Sequence, residues 1–336
     1  MAAQDFSVEI AAWRGGKSGA VSVSFDDASY TQYEYAFPVL EKYGLTASFS
    51  LVGEWTRDTA SYSAEPGMFQ IKKMGWREIR ELSARGYEIA AHGYHHVRYG
   101  KHLPADTLAK SMKQIKSLIE KHIAKPVYTM HYPYSFTSDN IVEGAKRAGY
   151  ILGRAGGQDY NTYENFNPYL LKSQAVLNDT IPNTTDFQNI IKQAEGKWLI
   201  LMYHHLFPAD SKEMQILKHH KVLHTYSVFP ATFDRQMKMV AASGYWVDTE
   251  ANTGRYMIER QHTKIRFKKF CNTLRIKTKT DLDTKIFNVP LTLSVKVPWQ
   301  KVKVKGGIKP GIYEVKNGQL FIDILPGKTL IIKKIM

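Results

Sequence analysis

Short apolar runs alternate with longer amphipathic stretches between residues 20 and 250, and this alternation restricts the fold more than any other feature. Seven runs are candidate strands: residues 21–25, 46–52, 87–91, 127–131, 150–153, 198–203 and 246–247. Residues 78–85, 104–121, 139–148 and 231–242 have the apolar spacing of helices. Strands that alternate with helices form a largely parallel sheet with the helices outside. The sequence therefore predicts an α/β fold, a distorted (β/α) barrel of about seven strands.

After Arg260 the pattern changes to short alternating runs separated by turns. Candidate strands lie at residues 291–297, 302–304, 312–315, 320–324 and 329–333, and Asn317-Gly318 between two of them is a strong hairpin signal. We expect residues 1–258 to form the barrel domain. Residues 259–336 are expected to form a small all-β, sandwich-like accessory domain with antiparallel strands.

The two parts differ sharply in charge. Residues 262–336 contain 17 Lys or Arg and 4 Asp or Glu, whereas the first 261 residues contain 29 and 27. A basic tail of this kind suits an anionic partner such as an acidic polysaccharide, a membrane surface or nucleic acid. A lysine-rich strand face that only keeps the surface hydrated is the competing interpretation. We expect an anionic polysaccharide as the candidate partner of the basic domain and do not expect nucleic acid.

Composition excludes several classes of protein. Hydrophobic residues make up 43% of the 336 residues, which is enough for a sizeable core and argues against a disordered chain. No apolar run approaches the roughly 20 residues that a membrane-spanning helix needs, and the first twenty residues lack the apolar core of a signal peptide. The single cysteine, Cys271, excludes an intramolecular disulfide framework and a multi-cysteine metal cluster.

Two adjacent carboxylates, Asp26 and Asp27, follow the first candidate strand. Successive strand residues point in opposite directions, so a turn is needed to bring both into one site. Aspartate is also a good turn former, so an ordinary turn is the competing interpretation. The pair is unfavourable unless a cation or separate roles explain it.

Two histidine clusters also follow candidate strands. His92 and His96 are four residues apart, a spacing that suits two imidazoles gripping one metal, and His95 competes as the second ligand. The strand at residues 198–203 ends in His204 and His205, of which we expect only one to face a central site. Ordinary loop histidines are the alternative for both clusters.

These clusters share one geometry. In a (β/α) barrel the carboxyl ends of the strands meet on one face, where catalytic residues lie. Asp27, His92 and His96 would then supply a two-histidine, one-carboxylate metal site with open positions. Asp26 would remain free as a base, and His204 would approach from the far side.

The motifs and their order resemble those of the polysaccharide deacetylases, carbohydrate esterase family four, with a NodB-like deacetylase domain. They are Ser24-Phe25-Asp26-Asp27, His92-x-x-x-His96 about 65 residues later, Tyr132-Pro133-Tyr134, and a strand that ends at His204. The resemblance covers about residues 18–255.

This resemblance implies a divalent metal, usually Zn²⁺, bound by Asp27, His92 and His96. It further implies that Asp26 is the general base, that His204 is the general acid and that the backbone N–H of Tyr134 helps to hold the oxyanion. The choices of His96 over His95 and of His204 over His205 stay open in the sequence.

The chain departs from the family pattern at three places. The family usually has an arginine that orients the base where this chain has His131, and we predict that Arg154, at the end of the next strand, takes over that role. His131 itself is the alternative contact of Asp26. Met202 replaces the usual leucine two residues before the acid histidine, and the family's acid-tryptophan motif is not evident near Asp159-Tyr160.

The expected function is a metal-dependent hydrolase that removes acetyl groups from a polysaccharide or oligosaccharide. N-acetyl sugars are the first expected substrate and O-acetylated glycans the second. The alternatives are a glycan-binding protein that kept the barrel and lost turnover, and a non-haem iron oxygenase, since two histidines and a carboxylate also suit Fe(II). Because family members usually act on cell-wall or extracellular glycans, we expect export to the periplasm, cell surface or medium by a signal outside this sequence, with a cytoplasmic location as the alternative.

Overall fold

The structure is a computed structural model that describes residues 6–64, 69–178, 184–217, 219–220 and 224–335. The chain divides into two compact units. One unit comprises Ala20–Ala251, and the other joins the N-terminal residues up to Gly19 with the residues from Asn252 onward.

The described strands are β1 (Ser7–Ile10), β2 (Ala20–Phe25), β3 (Ala47–Leu51), β4 (Ser61–Ser63), β5 (Ile71–Lys73), β6 (Glu88–Ala91), β7 (Thr129–His131), β8 (Leu152–Arg154), β9 (Gln174–Ala175), β10 (Trp198–Tyr203), β11 (His205–Leu206), β12 (Ser227–Val228), β13 (Trp246–Val247), β14 (Thr263–Phe270), β15 (Thr273–Thr280), β16 (Leu291–Lys296), β17 (Lys301–Lys305), β18 (Gly311–Glu314), β19 (Gln319–Ile324) and β20 (Thr329–Lys334). The described helices are α1 (Phe37–Tyr43), α2 (Trp76–Ala84), α3 (Ala105–Ile123), α4 (Asp139–Arg147), α5 (Thr184–Lys192), α6 (Lys212–Leu217), α7 (Pro230–Ala242) and α8 (Glu250–His262), with a π-helical turn at Gln32–Ala36 before α1.

The unit Ala20–Ala251 is built on a curled parallel sheet with the strand order β8-β7-β6-β3-β2-β10-β9, and the short β13 also pairs with β2. Every residue of the central strands β2 and β10 is buried, as expected for the central strands of a parallel sheet whose two faces are both covered. The predicted distorted (β/α) barrel is therefore confirmed, with strand bounds close to the predicted ones.

The four predicted helices are present as α2, α3, α4 and α7, shifted by at most two residues at each end. The sequence pattern did not predict α1, α5, α6 or α8. Helices α1 and α6 have only seven and six residues, too few to establish a helical period. Helix α8 contains Thr253 and Gly254, which have low helix propensity.

The other unit contains two antiparallel sheets, β1-β16-β19 and β14-β15-β20-β17-β18. Apolar side chains from both sheets form one core, including Leu274 and Val302 from the larger sheet and Leu293 and Ile322 from the smaller. This confirms the small all-β, sandwich-like domain. The hairpin β14–β15 was not predicted, because many of its outward residues are basic and its apolar alternation is weak.

Two details of this unit differ from the sequence reasoning. Strand β1 pairs with β16, so residues 6–19 group with the C-terminal strands, whereas the sequence placed all of residues 1–258 in the barrel domain. The Asn317-Gly318 turn forms, with both residues at positive φ and Lys316 bonded to Gln319. The strands on either side of it, however, belong to different sheets, because β18 pairs with β17 and β19 with β16.

Candidate active site

Six of the seven predicted site residues line one cavity of about 480 Å³ at the carboxyl ends of the barrel strands, and the seventh, Arg154, is not among its lining residues. Its lining includes Asp26, Asp27, His92, His96, Tyr134, Met202, His204 and His205. The carboxyl ends of parallel strands meet at one edge, so residues far apart in sequence converge there.

A left-handed turn brings both aspartates to the cavity. Asp26 continues β2 by donating its N–H to the carbonyl of Tyr203 at 2.9 Å, and Asp27 then adopts φ 71°. Positive φ also occurs at His96 and Tyr134. Such conformations are uncommon for residues with a Cβ and cluster at functional sites, where the surrounding structure imposes them.

Asp27, His92 and His96 form a group whose candidate ligand atoms all lie within 4.8 Å of one another. The Asp27 Oδ1 lies 3.6 Å from His92 Nε2 and 3.4 Å from His96 Nε2. This oxygen is buried and accepts no hydrogen bond from the described part of the chain. One carboxylate and two imidazoles around an unsatisfied buried oxygen fit a divalent cation such as Zn²⁺.

The protonation of His92 also fits a metal ligand. Its Nδ1 lies 2.9 Å from the carbonyl of His131, which fixes the ring and turns Nε2 toward Asp27. Burial lowers the pKa of His92 to about 3, although the nearby aspartates oppose this, so the imidazole is neutral at physiological pH. For Asp27, burial acts in the opposite direction and raises the pKa. Lys73 and the neighbouring histidines outweigh this effect and hold the pKa of Asp27 well below its usual value.

His95 does not join this group. Its Nδ1 lies 2.7 Å from Glu54 Oε2, and its side chain is 54% exposed. His96 instead packs between Trp55 and Tyr134, with ring centroids 4.9 Å and 4.8 Å away. The structure thus places His96, not His95, beside Asp27.

Asp26 has one carboxylate oxygen held by the protein and one turned toward the cavity. Its Oδ1 accepts from Ser50 Oγ at 2.9 Å, from His131 Nδ1 at 3.0 Å and from the Arg154 guanidinium. Its Oδ2 lies 3.9 Å from the Nε2 atoms of both His92 and His204. Burial raises the pKa of Asp26, but the cationic neighbours, Arg154 first, hold it well below its usual value. Asp26 is therefore an ionised carboxylate aimed by fixed donors.

A buried network of opposite charges lies beneath Asp26. His131 Nε2 lies 3.0 Å from Glu250 Oε2, and Arg154 Nε lies 3.7 Å from Glu250 Oε1. Burial and Arg154 lower the pKa of His131, but Glu250 and Asp26 outweigh them and raise it above its usual value. Because both ring nitrogens of His131 face carboxylates, the ring is an imidazolium between two anions. Arg154 and His131 contact the same oxygen of Asp26, so the two alternatives left by the sequence are both present.

His204 and His205 both line the cavity, whereas the sequence predicted that only one would. The chain bends after β10, since β11 pairs with β12 and leaves the path of β10. His204 lies nearer to Asp26, and its ring centroid is 4.4 Å from that of Tyr226, with the two rings tilted by 58°. Burial lowers the pKa of His204 despite the attraction of the two aspartates, and it lowers the pKa of His205 to about 3.

Sequence reasoning missed several residues of the site. Glu250 could have been found, because it follows β13 closely at the same carboxyl edge of the sheet. Gln32 donates its amide to the carbonyls of Asp26 and His204, both at 2.6 Å, and so ties the ends of β2 and β10 together. Lys73 is 3% exposed, lines the cavity and lies 4.4 Å from the Trp55 ring, yet no pattern in its short strand indicated it.

The fold and the site define a (β/α)-barrel protein with a two-histidine, one-carboxylate centre and a separately held second aspartate. The family model of the polysaccharide deacetylases matches residues 14–153. Over that segment the chain is similar to the polysaccharide deacetylases. Asp26, Asp27, His92, His96 and Tyr134 lie within the matched segment.

Curated relatives are more distant. A poly-β-1,6-N-acetyl-D-glucosamine N-deacetylase of Staphylococcus aureus is 24% identical over 185 residues, covering 53% of this chain and 59% of that protein. The protein of the same name from Staphylococcus epidermidis is 25% identical over 182 residues with the same coverage. The chain thus spans about three fifths of the length of these relatives. A family 4 acetyl xylan esterase from Clostridium thermocellum, solved with a cobalt ion, is 17% identical with a TM-score of 0.44, covering 71% of this chain and 91% of that chain.

Proposed function

We propose that this protein is a metal-dependent hydrolase that removes acetyl groups from an N-acetylated glycan. The observation that carries the proposal is that the two aspartate side chains have different environments. Asp26 has one oxygen fixed by three donors and the other facing the cavity, while the buried Oδ1 of Asp27 lies among two imidazoles. A base and a metal ligand need these two different environments.

The proposed metal ligands are Asp27, His92 and His96, and Zn²⁺ is the proposed ion. Zinc prefers nitrogen and oxygen ligands in this number and leaves an open position in catalytic sites. When bound, the ion would supply Lewis acidity that polarises the acetyl carbonyl and acidifies water.

The proton transfers are assigned to this chain's own side chains. Oδ2 of Asp26, ionised and aimed into the cavity, takes the proton from the attacking water. His204, whose Nε2 faces the same carboxylate, gives a proton to the departing amine nitrogen. Because burial lowers the pKa of His204, the imidazole is mostly neutral at rest. The proton that it gives to the amine is therefore the one that Asp26, 3.9 Å away, has taken from the water.

The backbone at Tyr134 is assigned to the oxyanion. The residue adopts φ 59° in the turn Pro133–Ser135 at the cavity wall. Backbone N–H groups fixed in this way stabilise developing negative charge without having to reorganise during the reaction.

The first proposed substrate is a polymer of N-acetylglucosamine, on the strength of the relatives named for poly-β-1,6-N-acetyl-D-glucosamine deacetylation. Acetylated xylan-like glycans are the second. We propose that the protein works outside the cytoplasm, where such polymers occur. Among the described residues, no helix is both long and apolar enough to cross a membrane.

Acetate release from poly-β-1,6-N-acetylglucosamine and from acetylated xylan, with and without a chelator, tests this function. We expect release from the N-acetylated polymer, loss with chelator and recovery on adding Zn²⁺. Glu143→Gln, on the exposed face of α4, is the matched control for Asp26→Asn. Binding of the polymer without any acetate release would contradict the proposal and indicate a glycan-binding protein instead.

A further inference from the structure

The five-stranded sheet β14-β15-β20-β17-β18 carries a concentrated positive face that the proposed hydrolysis does not use. We call this the basic face. Its cations are Lys264, Arg266, Lys268, Arg275, Lys277, Lys279, Lys301, Lys303, Lys305 and Lys333, and all ten are exposed.

The strand alternation explains why these side chains share one side of the sheet. On β15 and β17 the exposed cations alternate with buried residues such as Leu274, Ile276 and Val302, which pack in the core between the two sheets. Successive side chains of a strand point to opposite faces, so burying the apolar set puts the basic set outward. Folding of the sandwich therefore assembles the basic face.

The register sets like charges directly opposite one another. The facing pairs are Lys264 with Lys279, Arg266 with Lys277, Lys268 with Arg275, and Lys303 with Lys333. Like charges in opposed positions destabilise a sheet. Within the described residues, the ion pairs of this unit join Arg14 to Asp323 and His262 to Asp281, and none includes a cation of the basic face.

A face that only has to stay hydrated does not need this arrangement, because a soluble surface normally intersperses both signs. Glu314 is the single acidic residue at an outward position of these five strands. Lys301 faces Glu314, and Lys264 interacts with the carboxylate of Asp281, but no acidic residue of these five strands faces the other cations of the basic face. Their mutual repulsion is a cost that a bound polyanion would relieve.

The layout of the charges favours an extended polymer. On β14 and β15 the cations form three successive facing pairs, and the two members of each pair are separated by the strand spacing of about 4.8 Å. The charges therefore form a strip along the two strands, which suits a ligand whose own charges are spread along an extended chain. Phe270, 60% exposed, lies outward at the end of the row that contains Lys333 and Lys303. Its ring offers an apolar plane on which a sugar can pack. Proteins that bind single-stranded nucleic acid instead present several aromatic side chains, on which successive bases stack.

We propose that the basic face binds a polysaccharide that carries carboxylate or phosphate groups. The contact is independent of acetyl hydrolysis and would hold the chain on an acidic glycan while the barrel acts on its own substrate. Linking a binding module to a second site raises the local concentration at that site without any new contact there.

The test uses the full chain, with polygalacturonate as the acidic glycan and dextran as the neutral one, in affinity gel electrophoresis. We expect retardation by polygalacturonate, none by dextran, and loss of the retardation at about 0.5 M salt, where charges are screened within a few ångströms. The variant Arg275→Gln/Lys277→Gln/Lys303→Gln should bind about tenfold or more weakly, since several modest exposed charge contacts are lost together. Lys110→Gln/Lys113→Gln/Lys121→Gln, exposed on α3, is the matched control and should bind as the unchanged protein does.

Two further measurements separate a binding role from misfolding. The melting temperature of the basic-face variant should equal or exceed that of the unchanged protein, because opposed like charges are removed, and its acetate release from a short soluble substrate should be unchanged. Absence of retardation by polygalacturonate, or equal weakening in the control variant, would overturn the proposal. Tighter binding to vesicles of anionic lipid or to duplex DNA than to polygalacturonate would also overturn it and assign the basic face to that polyanion.

Discussion

Replacing Glu250 by glutamine removes one charge from a buried group of four. Asp26 and Glu250 are the anions, Arg154 and His131 are the cations, and each of the four side chains is at most 4% exposed. Glutamine keeps the size and a hydrogen-bonding oxygen, so the change isolates the charge. It leaves two buried cations facing one carboxylate.

Breaking a buried ion pair by removing one partner costs about 3–5 kcal/mol, because the remaining charge stays buried without compensation. A unit of this size loses roughly 2–4 °C of melting temperature per kcal/mol. Glu250→Gln should therefore lower the melting temperature of the barrel by about 6–20 °C. Glu143→Gln removes a carboxylate that is 43% exposed and should change the free energy of unfolding by no more than about 1 kcal/mol.

The difference in melting temperature between Glu250→Gln and the unchanged protein should depend on pH. Burial raises the pKa of Glu250, but His131 and Arg154 outweigh it and lower that pKa, so its stabilisation is present above the unfolded pKa of about 4.3 and is lost as the pH falls through the folded value. The pKa of His131 is raised, so its stabilisation is complete below about 6.5 and is lost as the pH rises through the folded value. The difference should be largest between about pH 5 and 6.5.

Differential scanning calorimetry between about pH 4 and 8, a range that covers the ordinary pKa values of both groups, measures the loss of melting temperature and its dependence on pH. A melting temperature for Glu250→Gln within about 2 °C of the unchanged protein at pH 6 would refute the reasoning, since that is the shift expected for less than 1 kcal/mol. A difference that does not vary with pH would show that packing, and not charge, is what Glu250 contributes.

Three further predictions test other parts of the molecule. Asp26→Asn should keep the bound metal, measured by inductively coupled plasma mass spectrometry, and lose about 10²–10⁴-fold in turnover, as expected for loss of a general base; loss of the metal would show that Asp26 is a ligand. His96→Ala should abolish metal binding while His95→Ala keeps it, and the reverse result would exchange their roles. Ile276→Ala, in the fully buried core of the sandwich, should cost about 2–5 kcal/mol in urea unfolding, and a cost below about 1 kcal/mol would contradict tight packing there.

Much of the barrel could be predicted from the sequence, because its evidence is local and periodic. The run at residues 198–203 is apolar throughout, and the strand it predicts has the same bounds in the structure. Helix α3, nineteen residues long, was equally predictable, since its buried residues Leu108, Met112 and Ile115 recur at helical spacing. Signals of this kind depend only on neighbours along the chain.

The candidate site was predictable as a set of residue types but not as a set of contacts. Motif order pointed to Asp26, Asp27, His92 and His96. The choice of His96 over its neighbour His95 depends on a positive φ at His96 and on the packing of its ring against Trp55. The sequence spacing of the histidines predicts neither feature.

Only the tertiary structure decided how Asp26, the proposed base, is supported. Arg154 and His131 share one oxygen of Asp26, and Glu250, the first residue of α8, contacts both from a distant part of the sequence. The basic face likewise depends on cross-strand register, which brings Lys303 opposite Lys333. A sequence determines which residues are apolar, charged or able to bind a metal, because those are properties of single side chains and their periods. Contacts between distant segments depend on the register and curvature of sheets, which form only when the whole core packs.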